Sequence, residues 1–554
     1  MPRNSAAEQY RHRVLSERDA LLRALQSPRD AQRQVLASLL AANAGTSFGV
    51  EHGFRSVRDW KDFRAAVPIR DYAALAPWID RGAGGEHNVL SADDPVVYFM
   101  SSGSTGDSKK IPITREFMRT GFFPPFYAAW ANFVEHFPDV MAREDSTLNL
   151  KHDPVSQTAT TPSGRPHLGA SQVDFSAAFG EPLSAEPGSR APWGVLPVSI
   201  GDTDYLEKAY LRLRLAVEHD VRCLIGINPA MVAAVPYQLG QWWPRIVKDL
   251  RDGTLGGRRY GSPNPELAAG LERMAGYFGT LRPAHVWPNF QLIFCWTTGL
   301  ASLYLPRLRE SFGQDVTVLP APVAASEGFV GVALDRHPTA CSAAVTAAFH
   351  EFADADAELR PDSATMLFDE LEVGREYHVV LTHVGGLYRY ALGDVVRVVD
   401  RRHGMPRVSY AGRSNLSNTA GERLRESHVV RALQTALGAS GLEVRNATCR
   451  PATPAGLSTR YEFALAPRSP FGAREVTALV SSVDSALCGL STDYESARAG
   501  RRLGEPVLHL LAEDAFLQEW QARVESGIRP AQVKDRVFQR DDAAWQRLLA
   551  CPAS

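Results

Sequence analysis

The sequence contains few lysines and no long apolar run. Of its 60 basic residues only seven are lysine and 53 are arginine, so Lys109 and Lys534 stand out. The 62 acidic residues leave a formal net charge of −2, which argues against the strong basic excess of a general nucleic-acid binder. No apolar segment approaches the roughly 18–20 residues that a membrane-spanning helix needs. These absences indicate a globular protein that is neither a general nucleic-acid binder nor a membrane-spanning chain.

Cysteine is also scarce. The six cysteines lie far apart and form no CxxC pair, which argues against a zinc site or a disulfide framework and predicts reduced thiols. Residues 1–25 are charged throughout and lack the apolar core of a secretion signal. We therefore expect a cytoplasmic monomer that binds neither nucleic acid nor membrane.

Short apolar runs alternate with amphipathic segments along most of the chain. Runs such as FQLIFCW and YHVVLTH predict buried strands, and segments such as Tyr205–His219 and SLYLPRLRESF predict helices. This alternation favours an α/β fold with β-sheets covered by helices. The polar turn RRHGMP predicts a boundary between a large N-terminal domain, residues 1–405, and a small α+β C-terminal cap, residues 406–554.

The most polar loop of the chain directly follows a predicted strand, Pro95–Met100. We interpret SSGSTGDSKKIPIT as this loop and its last residue, Thr114, as the N-cap of the next helix. Glycines allow a backbone to approach a phosphate closely, hydroxyls donate hydrogen bonds to it, and a lysine offsets its charge. The spacing does not fit a Walker A loop. The candidate phosphate-binding residues are Ser101, Ser102, Gly103, Ser104, Thr105, Gly106 and Lys109.

The loop matches the signature [Ser/Thr]-[Ser/Thr]-Gly-[Ser/Thr]-Thr-Gly-x-x-Lys of the adenylate-forming enzymes. With it occur VPIRDY, GEHNVL, INPAMV, DLRDGTL, WPNFQLIFCW, LYLPRLRESFG, AASEG, LYRYALGD and PAQVKDR. In this combination the chain resembles the auxin-responsive acyl acid amido synthetases, the Gretchen Hagen 3 family, and in particular bacterial members. The resemblance implies a firefly-luciferase-like adenylation domain, a mobile C-terminal cap, and ATP and Mg²⁺ as cofactors.

The resemblance also implies nucleotide-binding roles for side chains beyond the loop. Ser326 and Tyr388 would lie near the nucleotide, and Glu327 would act in catalysis by holding Mg²⁺ or the phosphates. Asp394 would bind the ribose, whose 2′,3′-diol suits a bidentate carboxylate. Taken alone, a Gly-Asp pair is more typical of a turn and a Ser-Glu pair of a helix start.

Two cations of the predicted C-terminal cap complete the implied nucleotide site. Lys534 is the only lysine after Lys248, and the resemblance places it at the carboxylate and the α-phosphate during adenylation. Attack of one anion on another needs a cation at the developing charge, which supports a catalytic role. Arg413, in AGRSN, resembles the hinge arginine of adenylate-forming enzymes. A solvated surface residue is the alternative for each of them.

The acyl pocket is predicted from an aromatic stripe after the phosphate loop. Such a stripe is more often core than pocket, but residues that faced the site would favour an aromatic or alkyl acid. Thr298 and Gly299, which lie shortly after FQLIFCW, are further candidates for substrate contact. The candidate substrate residues are Phe122, Phe123, Phe126, Tyr127, Thr298 and Gly299.

These features predict an ATP-dependent amide synthetase. A small carboxylic acid would attack Mg·ATP to give an acyl-adenylate and pyrophosphate, and an amine or amino acid would then displace AMP after the cap rotates. Two alternatives stay open from the sequence. The acyl group could pass to a thiol of coenzyme A or a carrier protein, or the chain could bind nucleotides without turnover, since Val323 replaces the tyrosine usual in the family.

Overall fold

The computed structural model describes residues 6–101, 109–141, 143–150, 158–181, 187–188 and 190–553. The chain divides into two compact units, each built from two chain segments. The first unit comprises Met1–Gly194 and Val318–Tyr410, and the second comprises Val195–Thr317 and Ala411–Ser554. The later division, between Tyr410 and Ala411, lies near the sequence-based boundary at 405/406. The grouping of Val195–Thr317 with the C-terminal segment has no counterpart in that boundary, which stays a prediction.

The first unit contains the largest sheet and the helical segment that carries the aromatic stripe. Its seven strands follow the order Val323–Ala325, Gly328–Val332, Cys341–Ala343, Met405–Arg413, Leu387–Arg402, Glu376–His383 and Phe349–Asp354. Its α-helices are Ala6–Ala24, Pro28–Asn43, Ser47–Glu51, Trp60–Ala66, Tyr72–Ala83, Arg115–Phe117, Phe123–Ala128, Ala131–His136, Pro138–Met141 and Phe175–Phe179. The α/β class predicted from the alternating pattern is confirmed.

A smaller sheet in the first unit carries the start and end of the predicted phosphate loop. Val97–Ser101 pairs antiparallel with Lys109–Ile113 and parallel with His167–Leu168. The sequence reading was wrong to extend the loop to residue 114, because residues 109–113 form a strand whose alternate side chains, Ile111 and Ile113, are buried. Pro112 is tolerated because this strand lies at the edge of its sheet.

The helix after this hairpin begins at the predicted N-cap and is then interrupted. The Thr114 hydroxyl accepts a hydrogen bond from the Phe117 amide, which makes Thr114 the N-cap. Arg115–Phe117 continues into a π-helical turn, Met118–Phe122, and then into the α-helix Phe123–Ala128. The prolines at 124 and 125 lack amide donors, and so they favour a new helix start over an uninterrupted helix.

The second unit combines helices with three separate groups of strands. Cys223–Ile225 pairs in parallel with Leu292–Cys295, Thr254–Leu255 pairs with Arg258–Arg259, and a three-stranded sheet has the order Val444–Ala452, Arg460–Pro467, Val507–Leu510. The helices are Tyr205–Ala216, Pro229–Asp252, Pro265–Phe278, Pro283–Val286, Ala301–Tyr304, Leu308–Phe312, Glu426–Ser440, Ala473–Leu490, Thr492–Ala499, Ala515–Glu525 and Asp542–Leu549.

Local sequence signals account for the longest helix of the second unit, Pro229–Asp252. The Asn228 side chain accepts a hydrogen bond from the Ala230 amide, and Pro229 occupies the first turn, where its missing amide costs nothing. The helix ends at Gly253, whose φ of 68° lies in the left-handed region that glycine adopts without strain.

The remaining expectations from composition concern thiols and membranes. The structure describes all six cysteines and joins none of them in a disulfide, and four of them are buried. Among the described residues, none of the helices is long and apolar enough to cross a membrane.

Two buried histidines of the large sheet give the first unit a pH-dependent stability. Burial lowers the pKa of His350 to about 4 and that of His383 to about 3, so both imidazoles are neutral in the folded chain at pH 5. In the unfolded chain a histidine takes up its proton near pH 6.5. The stability that these residues contribute is therefore full above about pH 6.5 and is lost as the pH falls towards 4.

We expect His350→Gln to weaken this pH dependence. Thermal unfolding at pH 7 and at pH 5 should show a smaller fall in Tm for the variant than for the unmodified chain, because one neutral buried imidazole is gone. The exposed His12→Gln is the matched control and should behave as the unmodified chain does. An equal fall in all three proteins would contradict the assignment.

Candidate active site

Three side chains of the first unit meet at the edge of the predicted phosphate loop. The Lys109 ammonium donates to the Tyr390 hydroxyl at 3.1 Å, and this hydroxyl donates to Glu327 Oε1 at 3.2 Å. Lys109 Nζ lies 3.8 Å from the same carboxylate oxygen. The lysine side chain is 25% exposed and the glutamate 6%, so a cation and a carboxylate are held together at the border of solvent.

Lys109 is placed there by the strand pairing on both sides of the loop. It is the first residue of its strand and lies opposite Ser101, the last residue of the other. A ligand that the loop binds is therefore close to the lysine. The predicted loop residues Ser102, Gly103, Ser104, Thr105 and Gly106 lie outside the described residues.

Glu327 lies in the tight turn between Val323–Ala325 and Gly328–Val332. Ser326, which is half-buried, shares this turn. The strand after the turn is held by a side-chain hydrogen bond, because the His350 imidazole contacts the Phe329 carbonyl oxygen at 2.8 Å. The turn that the AASEG motif predicted to carry nucleotide ligands thus presents one buried carboxylate to Lys109.

Tyr390 is a site residue that the sequence reading missed. The motif LYRYALGD drew attention to Tyr388, but that side chain is fully buried, stacks on Phe48 with ring centroids 4.6 Å apart, and donates its hydroxyl to the Leu90 carbonyl oxygen. The structure therefore does not bring Tyr388 to Lys109 and Glu327. Burial raises the pKa of the Tyr388 phenol, in keeping with a core position.

Irregular pairing of the strand Leu387–Arg402 explains the difference between the two tyrosines. The register shifts between Tyr390, opposite Leu381, and Leu387, opposite His383, so that one extra residue bulges out. Arg389 in this bulge has a φ of 42°. A bulge re-aims the side chains next to it, and strand alternation in the sequence cannot reveal this.

Asp394 lies in a second irregularity of the same strand. The pairing of Ala391 with Val380 and of Val395 with His378 leaves extra residues on this side, and Gly393 has a φ of 79°. Asp394 is 9% exposed. The predicted ribose ligand thus lies on the strand that also carries Tyr390, in the first unit.

The predicted acyl-pocket residues form an aromatic cluster in the first unit. Phe122 stacks on Phe126 and meets Phe329 edge-on at 5.3 Å, and the Tyr127 hydroxyl donates to Glu181 at 2.8 Å. Only Phe126 of the four is more than 9% exposed. Most of the stripe therefore serves as core. Through Phe329, which is two residues after Glu327, the cluster lies close to the turn that carries Glu327.

The remaining predicted residues lie in the second unit. The exposed Lys534 ammonium lies 4.7 Å from the centroid of the Trp296 ring, and Thr298 and Gly299 form a turn two residues further along that segment. Gly299 has a φ of 67°. Lys534 thus lies beside Trp296, the last residue of FQLIFCW, two positions before the first of these substrate candidates.

The backbone around Lys534 is fixed by contacts of its two neighbours. The Val533 carbonyl accepts from the Asn228 side chain at 2.7 Å, and Asp535 accepts from the Tyr304 hydroxyl at 2.6 Å and from Asn446 at 2.8 Å. Burial raises the pKa of Asp535 despite these hydrogen bonds. The lysine side chain therefore extends from an anchored segment.

Arg413 follows the division between the two units by three residues. It ends the strand Met405–Arg413 and is exposed, and its amide donates to Glu426 at 3.1 Å. Gly412 before it has a φ of 124°, and a Cβ there would lie 2.8 Å from the Glu426 Cβ. The chain takes a glycine-dependent conformation at the predicted hinge.

The Glu327 carboxylate of the site fits Mg²⁺ that arrives with ATP. Among the described residues, no group of three or more His, Cys, Asp or Glu forms a self-sufficient metal site. Mg²⁺ usually binds one or two carboxylates together with substrate phosphates and keeps several waters. One carboxylate, Glu327, beside the lysine of a phosphate loop is such a donor set.

Comparison with known families gives a match over nearly the whole chain. The GH3 family N-terminal domain matches residues 18–317, the GH3 family central domain residues 341–413 and the GH3 family C-terminal domain residues 427–542. The chain belongs to the GH3 family. The resemblance drawn from the motifs is thereby confirmed, and a bacterial origin stays a prediction.

Individual GH3 relatives agree with this membership. The chain is 28% identical over 432 residues to a probable indole-3-acetic acid-amido synthetase of Oryza sativa subsp. japonica, covering 70% of this chain and 69% of the relative. It is 25% identical over 415 residues to a jasmonoyl-L-amino acid synthetase of Nicotiana attenuata, with coverage of 70% and 69%. The structure of the acyl acid amido synthetase AtGH3.15 in complex with 2,4-DB superposes with a TM-score of 0.80 at 20% identity, covering 98% and 96% of the chains, which shows a common fold.

Proposed function

We propose that this chain joins a carboxylic acid to an amine or amino acid in two half-reactions. The carboxylate attacks the α-phosphorus of ATP and expels pyrophosphate, and the amine then attacks the acyl carbon of the acyl-adenylate and expels AMP. The acid–amine ligase class and the use of ATP follow from membership of the GH3 family. The observation on this chain that carries the proposal is the Lys109–Tyr390–Glu327 group beside the loop.

In this proposal the first unit holds the nucleotide. Lys109 offsets phosphate charge, Ser326 lies near the nucleotide, and Asp394 accepts hydrogen bonds from the ribose diol. Glu327 holds Mg²⁺, which when bound neutralises part of the triphosphate charge. The hydroxyls and amides of residues 101–106 donate to the phosphate oxygens.

Lys534 supplies the second cation of the adenylation step. Its side chain is flexible, lies beside Trp296 and extends from an anchored backbone. It therefore suits a point charge that must reach the pentacoordinate α-phosphorus of the transition state. Arg413 and Gly412, whose positive φ favours glycine, lie where the C-terminal segment of the second unit begins, which supports rotation of this segment between the half-reactions.

The proposed acyl acid is aromatic or alkyl. The aromatic cluster reaches the turn of Glu327 through the contact of Phe122 with Phe329. An apolar surface of this kind stabilises an apolar acyl chain by contact, and it provides neither a hydrogen-bond donor nor a positive charge for a second carboxylate. Phe126, the more exposed member, and the turn at Thr298 and Gly299 are the proposed substrate contacts.

We further propose that the protein is a cytoplasmic monomer.

The proposal is tested by exchange of pyrophosphate into ATP, without any amine, across a panel of aryl and alkyl carboxylic acids. Exchange that depends on one class of acid would support adenylation and identify the acyl substrate. Binding of ATP without exchange for any acid would favour a nucleotide-binding protein without turnover. Thioester formation in preference to an amide, once coenzyme A and amines are both supplied, would favour the thiol alternative.

A further inference from the structure

The phenol of Tyr390 stands between the two charged groups of the nucleotide site. Its side chain is fully buried, and its hydroxyl accepts from the Lys109 ammonium at 3.1 Å and donates to Glu327 at 3.2 Å. The direct separation of Lys109 from Glu327, 3.8 Å, exceeds hydrogen-bond length. The hydroxyl therefore links a cation and an anion that are not themselves in direct hydrogen-bond contact.

Aromatic rings also confine the lysine. Lys109 Nζ lies 5.8 Å from the centroid of the Tyr390 ring and 5.5 Å from that of Tyr72. Both distances are within the range of cation–π attraction. The Tyr72 hydroxyl in turn accepts from the Lys110 amide at 2.8 Å, which fixes this ring against the strand that carries Lys109. Lys109 thus has a preferred position, although its stem is flexible.

Tyr390 is held rigidly by the residues on both sides of it. Arg389 forms two hydrogen bonds with Glu351, at 2.8 and 3.0 Å, and donates to the Val67 carbonyl at 2.8 Å. The backbone of Arg70 bonds the Arg389 carbonyl at 3.0 Å and the Ala391 amide at 2.7 Å. These contacts maintain the strained φ at Arg389 and fix the backbone from which the Tyr390 side chain extends.

We propose that Tyr390 is a positioning residue of the nucleotide site. Resting on the proposed function, the inference is that its hydroxyl keeps Lys109 and Glu327 apart at the spacing that receives Mg·ATP. Without the hydroxyl, the ammonium and the carboxylate close into a direct ion pair. Such a pair competes with both the phosphates and the metal, because each charge is then already compensated.

The test is Tyr390→Phe, which keeps the buried ring and removes only the hydroxyl. We expect the Kd of Mg·ATP, measured by titration calorimetry, to rise about 10-fold, the size expected for a hydrogen bond to a charged group. KM for ATP in acid-dependent pyrophosphate exchange should rise in parallel, with a smaller change in kcat. The matched control is Tyr377→Phe, which removes the hydroxyl of another buried tyrosine of this sheet, one that accepts from the Glu372 amide at 2.9 Å.

A double-mutant cycle separates positioning from general loosening. In a Lys109→Ala background, Tyr390→Phe should change the Kd of Mg·ATP by at most about twofold, since the group it positions is gone. Equal effects of Tyr390→Phe with and without Lys109, or equal effects of Tyr390→Phe and Tyr377→Phe, would overturn the inference while leaving the proposed function intact. Absence of both Mg·ATP binding and exchange in the unmodified chain would overturn the proposed function and this inference with it.

Discussion

Replacing Lys534 by alanine lowers acid-dependent exchange of pyrophosphate into ATP by about 10²–10³-fold, the effect of removing one charge-stabilising group from a transition state. Affinity for Mg·ATP changes far less, because the proposed ground-state contacts come from the first unit. The Lys534 side chain is exposed, and its backbone is anchored through Val533 and Asp535, so the truncation should leave the fold unchanged.

The matched control for this prediction is Lys248→Ala. Lys248 is the preceding lysine in the sequence and is exposed on a helix, where it pairs with Asp252 one turn away. Its loss should leave exchange unchanged. Near-normal exchange in Lys534→Ala would remove Lys534 from the adenylation step, whereas an equal loss in both variants would indicate a general effect of charge.

Glu351→Gln destabilises the first unit by about 3–5 kcal/mol, the cost of leaving a buried cation without its partner. The Arg389 and Glu351 side chains are 2% and 1% exposed and form two hydrogen bonds, and the Thr365 hydroxyl also donates to Glu351 at 2.5 Å. The neutral amide keeps the shape and removes the charge. The free energy of unfolding from chemical denaturation measures the loss.

The same strand supplies the control for this variant. Asp354 pairs with Arg375 at the exposed end of Phe349–Asp354, where solvent screens the ion pair. Asp354→Asn should leave the unfolding transition where it is. If Glu351→Gln proved equally silent, the Arg389–Glu351 pair would not be what maintains the strained bulge beside Tyr390.

The alternation of strand and helix patterns was sufficient to predict the α/β class, because it is local in sequence. The phosphate role of Lys109 came from its place at the end of a polar glycine loop, and the role of Glu327 came from the family resemblance alone. That the two side chains lie 3.8 Å apart was found only in the structure. The prediction of Thr114 as an N-cap is also local, because capping acts within one helical turn.

Features that depend on segments far apart in the chain could not be predicted from the sequence. Tyr390 reaches Lys109 because Arg389 adopts a left-handed conformation that Glu351, 38 positions earlier, stabilises. Period-two alternation cannot predict a bulge whose cause lies on another strand. The association of Val195–Thr317 with the C-terminal segment likewise depends on packing of segments far apart in the chain. The aromatic stripe was ambiguous because core and pocket favour the same side chains.

Product analysis tests the adenylation–transfer account most directly. The protein is incubated with Mg·ATP, an acid that supports pyrophosphate exchange and an amino acid, and the nucleotides and acyl products are identified by mass spectrometry. The account predicts AMP and pyrophosphate in equal amounts with the N-acyl amino acid. Formation of ADP and inorganic phosphate with the same amide would contradict it, because the acid would then have been activated as an acyl phosphate.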